Sequence, residues 1–429
     1  MKRILSYLFL FFGVWGWGQE YDLNALYQMA DTANLSIVNT RLDIAANREQ
    51  KNIFLSSRLP QVSAVADYRY NAIIPGQIVP ADFFGGPPGT FAEVKFGVPF
   101  NLSNTIQVNQ FLYNSQLNYG LAALAINAQI VEIQQQVVKQ DVRFQIASAY
   151  FNVQAINQQL AFLDKNVANM NALIKNMEVL FANGMVIPTE IDKLKINKIN
   201  ITNGIFKLEN TRKQLLQLIG ILVGFGEGKE ITLVKDEAIT KPMLIEYNEV
   251  VRPEIQLLRA QKQMNIEEYK GTKMAYYPNL SFYSALNYNY NLKGNFRTGI
   301  PSAFLGLRLD WELFDGNEKK NKLKMNLITR EKLENQERLA SQQLNLVTDN
   351  AKREIAVQTA NLAMNQEQLV LAERLYEVSK KQFSGGTIST NELLQAETSV
   401  QQAQSNIVSS YLQLRLAELS FLKSISQLK

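Results

Sequence analysis

The sequence predicts a mainly helical chain that also carries a membrane β-barrel portion, and three observations predict it. Two stretches, Leu121 to Asn183 and Asn317 to Ser384, run without a Gly or Pro, and at about 1.5 Å per residue each would make a helix of roughly 95–100 Å. Four shorter stretches switch to a period of two, with one apolar and one polar side. The layout of the first half recurs in the second.

The second long stretch carries two apolar stripes. Leu344, Val347, Ala351, Ile355, Leu362, Leu369, Ala372, Tyr376 and Phe383 recur at helical spacing. Leu346, Val357, Ala360, Met364, Leu371 and Val378 form a second stripe well over a quarter-turn away, since each residue advances the helix by about 100°. Lys352, Gln358, Gln366, Glu373 and Lys380 lie between the stripes. Two seams separated by polar faces suit a helix flanked by two neighbours in a wall that is wet on both sides. Taken alone, the stretch also fits a long coiled coil.

Composition removes several function classes. The 429 residues, 46% hydrophobic and 19% charged, fit one large or two ordinary domains. A net charge of +5 is too mild to argue for nucleic acid. With no Cys and no His, the chain lacks disulfides, thiolate and imidazole nucleophiles and the usual zinc and copper ligands. No catalytic residue, metal or cofactor is therefore expected, and the chain is not read as an enzyme. Gly224 to Gly228 is glycine-rich but lacks the Lys-Ser/Thr end and the strand-to-helix setting of a phosphate loop. Residues 1–18 read as a secretory signal: Lys2 and Arg3, an apolar run from Ile4 to Val14, then Gly16 and Gly18 before a cut. That run is shorter than the roughly 20 apolar residues of a membrane-spanning helix.

In order, residues 19–220 form a first repeat. It holds a helix from Tyr21 to Leu59, interrupted near Asn34, then strands near 61–71 and 104–113, a long helix over 114–183, a turn, and a helix over 188–220. The first strand sets Val62, Ala64, Ala66, Tyr68 and Tyr70 against Ser63, Asp67 and Arg69, and a Pro- and Gly-rich loop spans Pro75 to Gly89. The second strand has a less clean period, and its start within Ala92 to Thr105 is not fixed by the pattern. Residues 221–250 form an irregular segment. The second repeat, 251–429, holds a helix over 253–277, strands near 279–291 and 302–313, the long helix 317–384, a turn, and a helix over 389–427.

Four strands with one apolar, aromatic-rich face (Tyr68, Tyr70, Tyr288, Tyr290, Trp311) are the pattern of a membrane barrel. Four cannot close, since the smallest such barrels have eight strands, and open edges cannot sit in lipid. Two copies would supply eight strands and three copies twelve. A soluble four-stranded sheet packed on the helices is the plainer alternative. It leaves the signal and the length of the helices unexplained.

Pro60 and Pro278 stand at the helix-to-strand junctions, Arg252-Pro253-Glu254 opens the second half, and Leu313-Phe314-Asp315-Gly316 turns a strand into a helix. The Phe-x-x-Gly turn at Phe383 is followed by Glu392 two residues before Leu394-Gln395-Ala396. In their order and spacing these residues resemble the TolC-type outer membrane factors (the outer membrane efflux protein family) over essentially the whole mature length. The resemblance implies a homotrimer with a twelve-stranded barrel in outer membrane lipid, continuous with an α-helical tunnel in the periplasm. It implies an exit duct for a tripartite efflux or type I secretion system of a Gram-negative bacterium. Its partners would be a periplasmic adaptor and an inner-membrane pump such as an RND or ABC exporter. A periplasmic coiled-coil adaptor or spacer without a pore is the competing reading.

By the same resemblance, Glu392 and Gln395 match the family's acidic ring at the periplasmic aperture, and only Glu392 keeps its charge. Glu190 matches the acid that locks the closed state, but Phe383 and Ile388 replace its Tyr and Arg partners. Closure is expected instead from apolar packing of Phe181, Phe383 and Ile388. The turns Asn183-Gly184-Met185-Val186 and Gly385-Gly386-Thr387-Ile388 match the adaptor-contacting positions. The plainer readings are acids complementing a helix N-terminus at Glu190, Asp192 and Glu392, and simple turn chemistry at the glycines.

Overall fold

The computed structural model describes residues 20–226, 231–234 and 252–428. The signal expected over 1–18 and most of the segment expected over 221–250 lie outside the described residues. In chain order the elements are β1 (Glu20–Tyr21), α1 (Leu23–Ala33), α2 (Leu35–Ser56), β2 (Gln61–Tyr70), β3 (Gly76–Pro80), a 3-10 turn (Ala81–Phe84), β4 (Phe91–Lys95), β5 (Phe100–Tyr113) and α3 (Ser115–Ala182). Then follow α4 (Pro188–Leu222), β6 (Thr232–Leu233), α5 (Pro253–Met274), β7 (Asn279–Lys293), β8 (Phe296–Asp310), α6 (Glu318–Ser384) and α7 (Thr390–Ser424).

The chain divides into two compact units, one comprising Asp43–Val131 and Leu258–Gln336, the other Met1–Leu42, Glu132–Leu257 and Glu337–Lys429. The first contains a four-stranded sheet in the order β2-β5-β7-β8, antiparallel throughout. Its register sorts the side chains into two faces. Val62, Val108, Ser284 and Leu305 stand in one row, and Ala64, Ile106, Leu286 and Ala303 in the next. On the other face, Asp67, Ser103 and Asn289 align, as do Arg69, Asn101 and Asn291. Asn101 donates to Asn291 at 2.8 Å and Thr105 to Asn287 at 2.8 Å, two cross-strand bonds on the polar face.

Several boundaries differ from the expectation. β5 begins at Phe100, and its apolar side is broken by Asn104, which blurs its period in the sequence. β8 covers 296–310, so Trp311 and Leu313 lie beyond the strand. Local bonds hold the chain there: the Trp311 indole donates to the Tyr276 carbonyl at 3.1 Å. Glu312 and Asp315 pair with Lys319 at 2.8 and 3.3 Å, and the Asp315 carboxylate accepts the Lys319 amide. α5 stops at Met274, ahead of Pro278, whose ring disfavours helix in the residue before it. The expected loop over 75–89 is instead part of a small hairpin, β3 against β4, capped by the 3-10 turn.

The second unit is built from helices plus the parallel pair β1–β6. Its largest core gathers Leu26, Ile37, Ile146, Val153, Ile219 and Leu419. Arg143 pairs with Asp31 at 2.7 Å and donates to the Leu428 carbonyl at 3.0 Å, which ties the end of the described chain to this core. α7 is buried along one broad face, including Leu393, Glu397, Val400, Gln404, Ile407, Tyr411, Leu414 and Glu418. On α6, the stripe through Ala351, Leu362, Ala372 and Tyr376 is buried, whereas Leu346, Val357, Met364, Leu371 and Val378 stay exposed within this one chain.

Candidate functional site

The turns joining α3 to α4 and α6 to α7 share one backbone solution. At the first, Gly184 N–H donates to Phe181 O at 2.9 Å and Met185 N–H to Leu180 O at 2.9 Å. At the second, Gly386 N–H donates to Phe383 O and Thr387 N–H to Gln382 O, both at 3.0 Å. These paired bonds are the Schellman arrangement that satisfies the last carbonyls of a helix. It places Gly184 at φ 72° and Gly386 at φ 73°, left-handed values that favour glycine. Pro188 then opens α4, and a capping box between Ser389 and Glu392 opens α7, with both bonds at 3.3 Å.

Apolar side chains bring the two hairpins together. Met170, Ile174, Met177, Ile191 and Leu194 form one cluster, and Ala372, Tyr376, Leu393, Ala396, Val400 and Ala403 form another. Leu173 and Phe383 pack against both, and Ile388 packs against the second. Between the turns lies a groove of about 520 Å³ lined by Met177, Leu180, Met185, Val186, Phe383 and Ile388, with Glu190 and Lys193 at its side. Phe181, expected to join this packing, is 45% exposed and belongs to neither cluster.

Glu190 is held from two directions. Lys193, one turn along α4, donates to its carboxylate at 2.8 Å, and the side chain of Thr390, at the start of α7, bonds it from the other hairpin. These bonds, Lys193 first and Thr390 second, hold its carboxyl below the usual glutamate range. Glu392 and Gln395 are both exposed on α7. Glu397 is different: it is 3% exposed, and its Oε2 has no hydrogen-bond partner among the described residues. Burial, partly offset by a bond from Gln401, pushes its carboxyl up to about 7.

Residues 246–425 match the family model described as outer membrane efflux protein. The fold is similar to that of CusC, whose crystal structures describe transmembrane channel formation, with TM-score 0.76, 15% identity, and 95% of this chain and 92% of that chain covered. The outer membrane protein VceC of Vibrio cholerae gives TM-score 0.70 at 14% identity, covering 96% and 98%. The open state of the MtrE outer membrane channel of Neisseria gonorrhoeae gives TM-score 0.72 at 14% identity, covering 95% and 89%. The chain has the fold of the TolC-type outer membrane factors. No curated protein matches it.

Glu190, in the first turn of α4, bonds across to the second hairpin through Thr390. Thr390 and Lys193 were not singled out by the sequence. Lys193 had a signal, the i,i+3 spacing from Glu190; Thr390 had none, because its partner is remote in sequence. Glu397 was not singled out either, although its signal was present: Leu393, Glu397, Val400 and Gln404 follow core spacing, which puts a carboxylate at a seam position.

Proposed function

We propose that this chain is the outer membrane exit duct of a tripartite efflux or type I secretion system, three copies closing one barrel and one tunnel. Substrates pass through it passively, delivered by an inner-membrane pump through a periplasmic adaptor. The observation that carries this reading is the sheet. One face is apolar, the other carries Asn and Thr side chains hydrogen-bonded across strands, and neither β2 nor β8 has a partner on its outer edge among the described residues. Such a sheet is stable in lipid only when other copies pair with those edges, and its polar face then lines water. No helix of the described residues is long and apolar enough to cross a membrane, so the strands are the elements that would do so.

The exposed second seam of α6 supports the same reading, as a surface for a neighbouring helix of another copy. The groove between the two turns, with Glu392 and Gln395 exposed on the adjoining helix, is the proposed periplasmic aperture, and the turn tips 183–186 and 385–388 are the proposed adaptor contacts. Nothing in this role calls for an enzyme: export energy comes from the pump. Mass measurement of the purified protein tests the reading. The duct is extracted only with detergent and has the mass of three chains; a monomer that stays soluble without detergent supports a pore-free periplasmic adaptor instead.

A further inference from the structure

The connection between β2 and β5 is an arm. Asn71 bonds to Pro99 and Val98, which closes the base of the strand pair, and β3 pairs with β4 beyond it. The register puts Ile78 opposite Glu93 and Pro80 opposite Phe91, so these four share one face. Ile78, Phe83, Phe84 and Phe91 are each 60–80% exposed. On a polar-rimmed tip that faces water, so many open apolar side chains mark a contact surface. The sheet also places this arm. Phe100 of β5 pairs with Leu292 of β7, so the short β7–β8 turn lies at the same end as the arm, while α2, α3, α5 and α6 join the strands at the opposite end.

We propose that the arm is a lid made between copies: arms of adjacent copies pack on one another over the outer mouth, burying Ile78, Phe83, Phe84 and Phe91. The inference rests on the barrel proposed above. Two observations select a second copy of this chain as the occupant. First, the arm grows from β2, an edge strand, so it is continuous with the seam at which the next copy's β8 must pair. Second, the charges complement. The arm carries Asp82 and Glu93 against a single Lys95, whereas the β7–β8 turn presents exposed Lys293 and Arg297, which closure brings beside the neighbouring arm. An arm built to lie on a lipid surface would ring its apolar face with Lys and Arg; this face carries one Lys, Lys95, beside Glu93, with Asp82 in the adjoining turn.

The chain has no cysteine, so single substitutions report proximity cleanly. Phe83→Cys and Phe91→Cys, oxidised in detergent-solubilised trimers, are expected to yield disulfide-linked dimers, and Leu286→Cys on a central strand to yield none. Replacing residues 76–95 by an Asn-Gly turn is expected to raise single-channel conductance. Intact trimers that give no dimers from either arm position overturn the lid and leave the barrel standing. Quenching of a fluorophore on Phe83→Cys by brominated lipid overturns it in favour of a lipid-lying arm. Absence of trimers overturns the barrel and the lid together.

Discussion

Glu397 offers the sharpest energetic test. Its carboxyl is buried on α7, close enough to Tyr376 of α6 for its charge to act on that phenol, with Gln401 donating to Oε1 at 3.4 Å. Burial moves its pKa from an ordinary 4.5 to about 7. A raised carboxyl pKa means the fold favours the proton. Below the ordinary value both folded and unfolded chains are protonated, and no penalty arises. As pH rises from there to about 7, the unfolded chain ionises first, and stability falls by up to about 3 kcal/mol. Glu397→Gln keeps the volume and the neutral state at every pH. Denaturant unfolding in detergent is expected to show the variant more stable by up to about 3 kcal/mol per chain at pH 8, and near wild type at pH 4.5. An equal difference at both pH values, or a variant less stable at pH 8, refutes the reasoning.

Other expectations concern the turns. Thr390→Val removes the bond to Glu190 from the second hairpin, and a double-mutant cycle with Glu190→Ala is expected to give a coupling of about 1 kcal/mol at pH 7. Because that carboxyl is held below its usual range, the coupling fades as pH drops through the glutamate range; additive effects at pH 7 contradict the link. Gly386→Val forces a β-branched residue to φ 73° and is expected to cost about 1–2 kcal/mol. If it still assembles into trimers, export is expected to be lost, and a trimeric variant with normal export removes the turn from the adaptor contact. Glu392→Ala is expected to lower cation selectivity and weaken block by multivalent cations in bilayer recordings. Unchanged selectivity assigns Glu392 to its capping box alone.

The long helices, the strands and the two turns were legible because each follows from a local period or a glycine. Asn317 to Ser384 needed only spacing, and the observed α6 spans Glu318–Ser384. The arm was not legible: its strands are five residues each, too short to establish a period, and glycine and proline dominate the segment between them. The end of β8 was missed because Trp311 and Leu313 continue the alternation while side-chain bonds to Tyr276 and Lys319 take over the backbone's course. At the candidate site, Phe181, Phe383 and Ile388 were all expected to pack, from their apolar chemistry. Phe181 has the same chemistry yet faces outward, since one residue along a helix turns the side chain by about 100°.

The central claim is that copies of this chain enclose a water-filled path. Recording current across a planar bilayer after adding the purified, detergent-extracted protein tests it most directly. Discrete, stepwise conductance events are expected, their size changed by the arm replacement and their selectivity by Glu392→Ala. A protein of trimeric mass that inserts into the bilayer yet passes no current, with the arm present or removed, contradicts it.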